Sequence, residues 1–228
     1  MPPQLGRIMP TTWEHYERYP LSGLAEEDRP QGEPIVLGIN WYETFFEPVR
    51  HSDGSYWIGL GDDWGAVAGG HAICVKPDRV TDLGTWHEYY DQQRNSCVGF
   101  SASRSRTLIE RRKYNGEWLY DRALERDEWP GTKDQGTSVD AGFKVLRELG
   151  PCTPAGYIRP LAGVSAYRWL TDVSEVAYVL DSPTNETRQA VRLVNSWGLA
   201  WPHFVWLPYL ALERLLIENG EAVTATSR

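Results

Sequence analysis

No run of apolar residues in this 228-residue chain approaches the roughly 20 needed to span a bilayer, so the sequence argues against a membrane protein. The start Met1-Pro2-Pro3-Gln4 has neither a basic n-region nor an apolar h-region, which gives no sign of a secretory signal and points to a cytoplasmic protein. Three cysteines, an odd number, do not make a disulfide framework, and the thiols are expected to be reduced. Positive charge is also scarce. The formal net charge is −8 with no dense Lys/Arg run, which excludes the basic face that a nucleic-acid partner requires. The tightest basic group, Arg104, Arg106, Arg111, Arg112 and Lys113, has the spacing of a solvated helix side. His71, Cys74 and Cys152 do not form a spaced ligand set and the other histidines are scattered, so neither metal nor cofactor is expected. There is no internal repeat or low-complexity tract.

Aromatics, by contrast, are abundant: 11 Trp and 12 Tyr, which implies a tightly packed core or a groove that grips an extended ligand. The length suits one large domain or two small lobes with a real core. Residues 1–33, with Trp13, Tyr16 and Tyr19 among Pro, Glu and Arg, read as an arm or strap, a short pro-segment being the alternative. Pro34-Ile35-Val36-Leu37-Gly38-Ile39 has the β-branched pattern of a buried strand, and His71-Ala72-Ile73-Cys74-Val75 forms a second candidate. Between them, Asp53-Gly54 and the glycines at 59–65 predict a hairpin or irregular excursion.

The period then changes. Val98, Ala102 and Ile109 recur at helical spacing, with Asn95 or Ser96 as cap, so Cys97 falls in a first helical turn. A second helix is predicted over residues 136–150, with Thr137 or Ser138 as cap, Val139, Phe143, Leu146 and Leu149 on one face, and Gly150-Pro151 as stop. Ala190-Val191-Arg192-Leu193-Val194 and Phe204-Val205-Trp206-Leu207 read as strands, and residues 210–219 as a closing amphipathic helix. Strand blocks far apart in sequence are expected to meet in one sheet, which makes the class α+β.

Thiol catalysis needs a thiolate, a base and a group that orients the base. Cys97 at a helix N-terminus has the favourable dipole and free backbone N–H groups for an oxyanion. His71 follows Gly69-Gly70 at a strand, and Asn195 ends a strand before Ser196-Trp197-Gly198. Each has an ordinary alternative: a buried thiol, a satisfied core histidine, a turn-forming asparagine. Cys74, three after His71 on a strand, is expected to face away from it, and Cys152 to be a buried thiol.

Read together, three segments resemble the papain-like cysteine peptidases. Asp91-Gln92-Gln93-Arg94-Asn95-Ser96-Cys97-Val98-Gly99-Phe100-Ser101 is similar to the family's nucleophile segment, Gly69-Gly70-His71-Ala72-Ile73-Cys74-Val75 to its histidine strand, and Asn195-Ser196-Trp197-Gly198 with the strand at 204–209 to its asparagine region. Residues 34–46 and the helix at 136–150, with Trp129-Pro130-Gly131 before it, resemble further elements. The resemblance implies a helical lobe and an antiparallel β-barrel-like lobe: residues 34–80 as the first strand block, 81–165 as the helical lobe, and 166–228 as the second strand block with a final helix. It implies Cys97 as nucleophile, His71 as acid and base paired with it, and Asn195 aligning His71. Gln92 (or Gln93) would serve the oxyanion, Trp197 would shield the His71–Asn195 bond, and Gly136 would approach a bound peptide. The substrate would be a peptide or protein, hydrolysed through an acyl-thioenzyme.

Two departures stand out. The family order is nucleophile, histidine, asparagine, whereas here His71 precedes Cys97 and Asn195, so the segment order is permuted; Gln92 also lies five positions before Cys97 rather than six. The histidine-first order resembles proteins of bacteriophages and their hosts, which would permit a virion-associated location. An amidase, a peptidoglycan peptidase or a transpeptidase would use the same residues. A non-catalytic binding module on the same fold is the reading from a different class.

Overall fold

The computed structural model describes residues 24–25, 28–78, 90–129 and 135–226. The N-terminal segment with Trp13, Tyr16 and Tyr19, and the Pro130-Gly131 pair, lie outside them.

The alternating, β-branched segment predicted first forms β1 (Ile35–Tyr42). A 3-10 turn follows (Glu43–Phe46), then a short hairpin of β2 (Val49–Arg50) and β3 (Tyr56–Trp57) around Gly54, whose φ of +82° is the left-handed conformation that a glycine adopts freely. β4 (Val67–Val75) carries His71. Three helices come next: α1 (Cys97–Glu110), α2 (Gly116–Leu124) and α3 (Val139–Glu148). The rest of the chain comprises β5 (Ala166–Leu170), α4 (Val173–Leu180), α5 (Pro183–Arg188), β6 (Ala190–Val194), β7 (Phe204–Pro208), α6 (Tyr209–Ile217) and β8 (Glu221–Thr226). The fold is mixed α+β. The expected closing helix is present, but the chain continues from it into β8, which sequence reading missed along with α2, β5, α4 and α5.

Among the described residues the eight strands belong to one sheet, in the order β2-β3-β7-β6-β4-β1-β8-β5. The two strand blocks therefore meet: Cys74 pairs with Val194 and Val75 with Leu193 across β4 and β6, and Trp57 pairs with Trp206 across β3 and β7. Side chains alternate across a strand, so β1 sends Ile35, Leu37, Ile39 and Trp41 to one face and Val36 to the other. The first face packs on α4 and α6 through Val176, Val179, Leu180, Leu212 and Leu215. The second packs on α1 and α3 through Val98, Ala102, Val139, Phe143 and Leu146. At about 1.5–3 kcal/mol for each fully buried Val, Leu, Ile or Phe, these two cores supply most of the drive to fold.

Two local expectations need correction. Helix α1 is buried almost all round, so Arg104 (2% exposed) and Arg106 are inside rather than on a solvated face. Their charges are accommodated: the Arg104 guanidinium lies 4.2 Å from the Tyr90 ring centroid, and Arg106 Nε donates to Ala162 O at 2.8 Å while its Nη2 pairs with Glu110 at 2.7 Å. Ser96 does occupy the N-cap position of α1, but its hydroxyl makes no cap bond and donates instead to Glu117 Oε1 at 2.8 Å. At α3 the capping residue is Ser138, which accepts from Ala141 N at 3.1 Å, while Thr137 donates to Asp127 Oδ2.

Candidate active site

The ladder between β4 and β6 ends at Cys74↔Val194. Beyond it, toward His71, the chain at Asn195 leaves the ladder, and the segment leading to Cys97 pairs there instead. Asp91 bridges Trp197, Gln92 N donates to Ser196 O at 2.8 Å, and Gly198 N donates to Tyr90 O at 2.9 Å. Backbone pairing thus gathers all three motifs at one edge of β4.

Asn195 Oδ1 accepts from Ser196 N at 2.7 Å, which fixes the amide with its oxygen turned to the histidine. His71 Nε2 lies 3.1 Å from that same oxygen and must therefore be the donor. The remaining ring nitrogen, Nδ1, then carries the lone pair, and it has no hydrogen-bond partner among the described residues. The ring is held between indoles, with Trp197 at 4.6 Å and Trp41 at 4.7 Å between centroids. Phe46 stacks on Trp197 at 5.7 Å and 13°. Trp197 accordingly lies against the His71 ring. Trp41 and Phe46 were missed, although strand alternation places Trp41 on the face of Ile39, the residue opposite His71.

His71 is fully buried, and burial pushes its pKa from 6.5 down to about 4 against the opposing effect of the Asn195 hydrogen bond. The imidazole is neutral at pH 7. Cys97 is 1% exposed, and burial pushes its thiol up, opposed by the backbone N–H groups of Ala72, Val98 and Cys97 itself, which favour the thiolate. The sulfur is thus set against β4 at Ala72, the residue after His71, and Ser101 Oγ donates to Ala72 O at 2.7 Å one turn further along α1. His71 shares the face of Ile39 and Trp41, whereas Cys97 is buried with Val36 and Ala72, its sulfur at the Ala72 backbone N–H. No hydrogen bond joins Cys97 Sγ to His71 Nδ1.

Gln92 is buried, with Nε2 donating to Arg94 O at 3.4 Å, so its amide is turned into its own loop; Gln93 is exposed. Gly136 is buried with a φ of +94°, three residues before α3. Cys74 faces away from His71 in contact with Leu108 and Phe204, and burial pushes its thiol up to about 12. Cys152 is buried. Among the described residues no group of three or more His, Cys, Asp or Glu is placed to hold a metal, and no helix is long and apolar enough to cross a membrane.

No protein-family model matches the chain, and no curated protein matches it. Among solved structures, the chain is similar to the crystal structure of Xylellain, a cysteine protease from Xylella fastidiosa, at 16% identity and a TM-score of 0.45, over 64% of this chain and 85% of that one. A likeness of this degree transfers no residue's role.

Proposed function

We propose that the chain is a papain-like thiol hydrolase that cleaves peptide bonds, with Cys97 as nucleophile, His71 as base and acid, and Asn195 as the group that orients His71. The observation that carries this reading is the buried 3.1 Å contact of His71 Nε2 with Asn195 Oδ1 beneath Trp197, which leaves Nδ1 as the basic nitrogen beside the strand on which the Cys97 sulfur rests. In the reaction, the Cys97 proton passes to His71 Nδ1 as sulfur bonds to the scissile carbonyl carbon. The carbon–nitrogen bond then breaks as His71 returns the proton to the leaving amine. Water, deprotonated by the same nitrogen, bonds to the thioester carbonyl carbon; the carbon–sulfur bond then breaks, the carboxylic acid leaves, and His71 returns the proton to the Cys97 sulfur. The N–H groups of the first turn of α1 lie beside the sulfur to receive the oxyanion, with Gln92 joining them once its amide turns from Arg94 O. Gly136 would lie along the substrate backbone.

In the structure burial favours the uncharged thiol–imidazole pair over the ion pair. Admission of substrate and water reverses that preference, so the closed site is a resting state. Treatment of the reduced chain with a peptidyl vinyl sulfone should place one adduct on Cys97, abolished in Cys97→Ala and strongly slowed in His71→Ala. Labelling that persists in Cys97→Ala, or that never occurs, overturns the proposal.

The missing Cys97–His71 hydrogen bond favours one second reading, a binding module that grips a peptide without cutting it. That reading is supported if Cys97→Ala binds and acts as the unmodified chain does.

A further inference from the structure

We infer that Glu117, on a different helix from the thiol, is a positioning residue for Cys97; this rests on Cys97 being the nucleophile. The carboxylate holds the chain on the approach to Cys97 at two points. Its Oε2 accepts from Arg94 Nε at 2.7 Å, and its Oε1 accepts from Ser96 Oγ at 2.8 Å. The two grips bracket Asn95 and end at the residue bonded to Cys97. Arg94 is itself braced: its Nη2 pairs with Asp121 one turn along α2, and its guanidinium lies 4.9 Å from the Tyr120 ring. Ser96 N also donates to Arg94 O at 2.7 Å, closing the loop on itself.

Helix packing explains why a residue of α2 can reach this loop. A Cβ at Gly99 would lie 2.3 Å from Gly116 O, and one at Gly116 would lie 2.6 Å from the Phe100 ring, so only glycine at both positions lets the first turns of α1 and α2 touch. Gly116 is the first residue of α2 and Glu117 the second, so the crossing delivers the carboxylate to the N-terminus of α1. Asn115 holds that end of α2, its Oδ1 accepting from Trp118 N at 3.0 Å and its own N–H donating to Cys152 O at 2.7 Å.

The clamp acts on geometry more than on stability. The Arg94 and Glu117 side chains are 37% and 36% exposed, a setting in which an ion pair adds little to folding. Of the three N–H groups that favour the thiolate, that of Ala72 belongs to β4, and the other two belong to Cys97 and Val98, the residues whose placement the Ser96 contact sets. A small displacement there misaligns sulfur with both base and carbonyl, and such displacements are costly to rate.

The test measures kinact and KI for vinyl-sulfone labelling of Cys97 in the full chain, together with the thermal midpoint. Glu117→Ala should lower kinact about tenfold with KI within about twofold and little change in the midpoint. Glu117→Gln, which keeps an acceptor oxygen, should recover part of the rate, and Ser96→Ala, which removes a single grip, should fall between. Should Glu117→Ala fail to fold, Glu117→Gln and Ser96→Ala carry the test. Wild-type kinact in Glu117→Ala, or in Ser96→Ala and Glu117→Gln alike, overturns the clamp while the nucleophile stands. An unmodified chain that takes no label overturns the nucleophile itself.

Discussion

Lys76 and Arg192 face each other across β4 and β6: Lys76 N donates to Arg192 O at 2.9 Å, which continues the register that pairs Val75 with Leu193 and puts two cations on one sheet face. Like charges opposite one another are destabilising, and the cations are eased by packing and by a third party. The Arg192 guanidinium lies 4.0 Å from the Phe204 ring, and Asp78 attracts both while its carboxylate accepts from Thr184 N at 2.7 Å. Burial, with Arg192 adding to it, pushes the Lys76 pKa from 10.5 down to about 8. At this group the unfolded chain binds more protons than the folded one between those values, so Lys76 contributes a rise of stability with pH through that window, while the buried Cys74 thiol contributes a fall above pH 9. In urea denaturation from pH 7 to 11, Lys76→Met should remove the Lys76 contribution and leave a less positive slope than that of the unmodified chain.

His71 makes the corresponding case at acid pH. Its folded pKa is depressed, so the stability of the neutral ring is fully present above 6.5 and is lost as pH falls toward about 4. A shift of this size corresponds to about 3 kcal/mol at about 1.4 kcal/mol per unit. Denaturation midpoints should fall steeply across this range, and His71→Phe should remove most of the slope.

Trp197 covers the ring of that histidine, so Trp197→Ala should admit water and raise the His71 pKa toward 6.5. A histidine-detected NMR titration reads the shift directly. An unchanged titration would mean that Trp41 and the sheet account for the burial.

Much of this was legible in the sequence because it depends on local period. The strand at 190–194, the strand from 204 and the helix at 139–148 all have unbroken patterns and lie where the patterns predict. The β8 segment, Glu-Ala-Val-Thr-Ala-Thr, has small residues and little alternation; it is a strand because β1 and β5 flank it. Arg104 was misplaced because periodicity assigns charge to solvent, and the Tyr90 ring that receives it precedes the helix. The site divides in the same way. His71, Cys97, Asn195 and Trp197 carry sequence signatures, whereas Trp41 and Glu117 acquire their places only through strand register and the crossing of two helices.

That crossing tolerates no methyl group. Gly99→Ala should destabilise the chain by about 2–3 kcal/mol, because the new Cβ meets backbone at Gly116 O rather than a side chain free to rotate. The urea midpoint measures the loss, and slower labelling of Cys97 should accompany it.

The position of β8 has a kinetic consequence. Its residues pair with β1 in the register Ile35↔Thr224, so the central strand stays open on one edge until the ribosome has released a segment nearly two hundred residues downstream. The histidine strand can meet β1 early as a local antiparallel partner. Completion of the sheet, and of the cores on its two faces, is a late step that awaits β8, and during synthesis the exposed edge of β1 is where a chaperone would be needed.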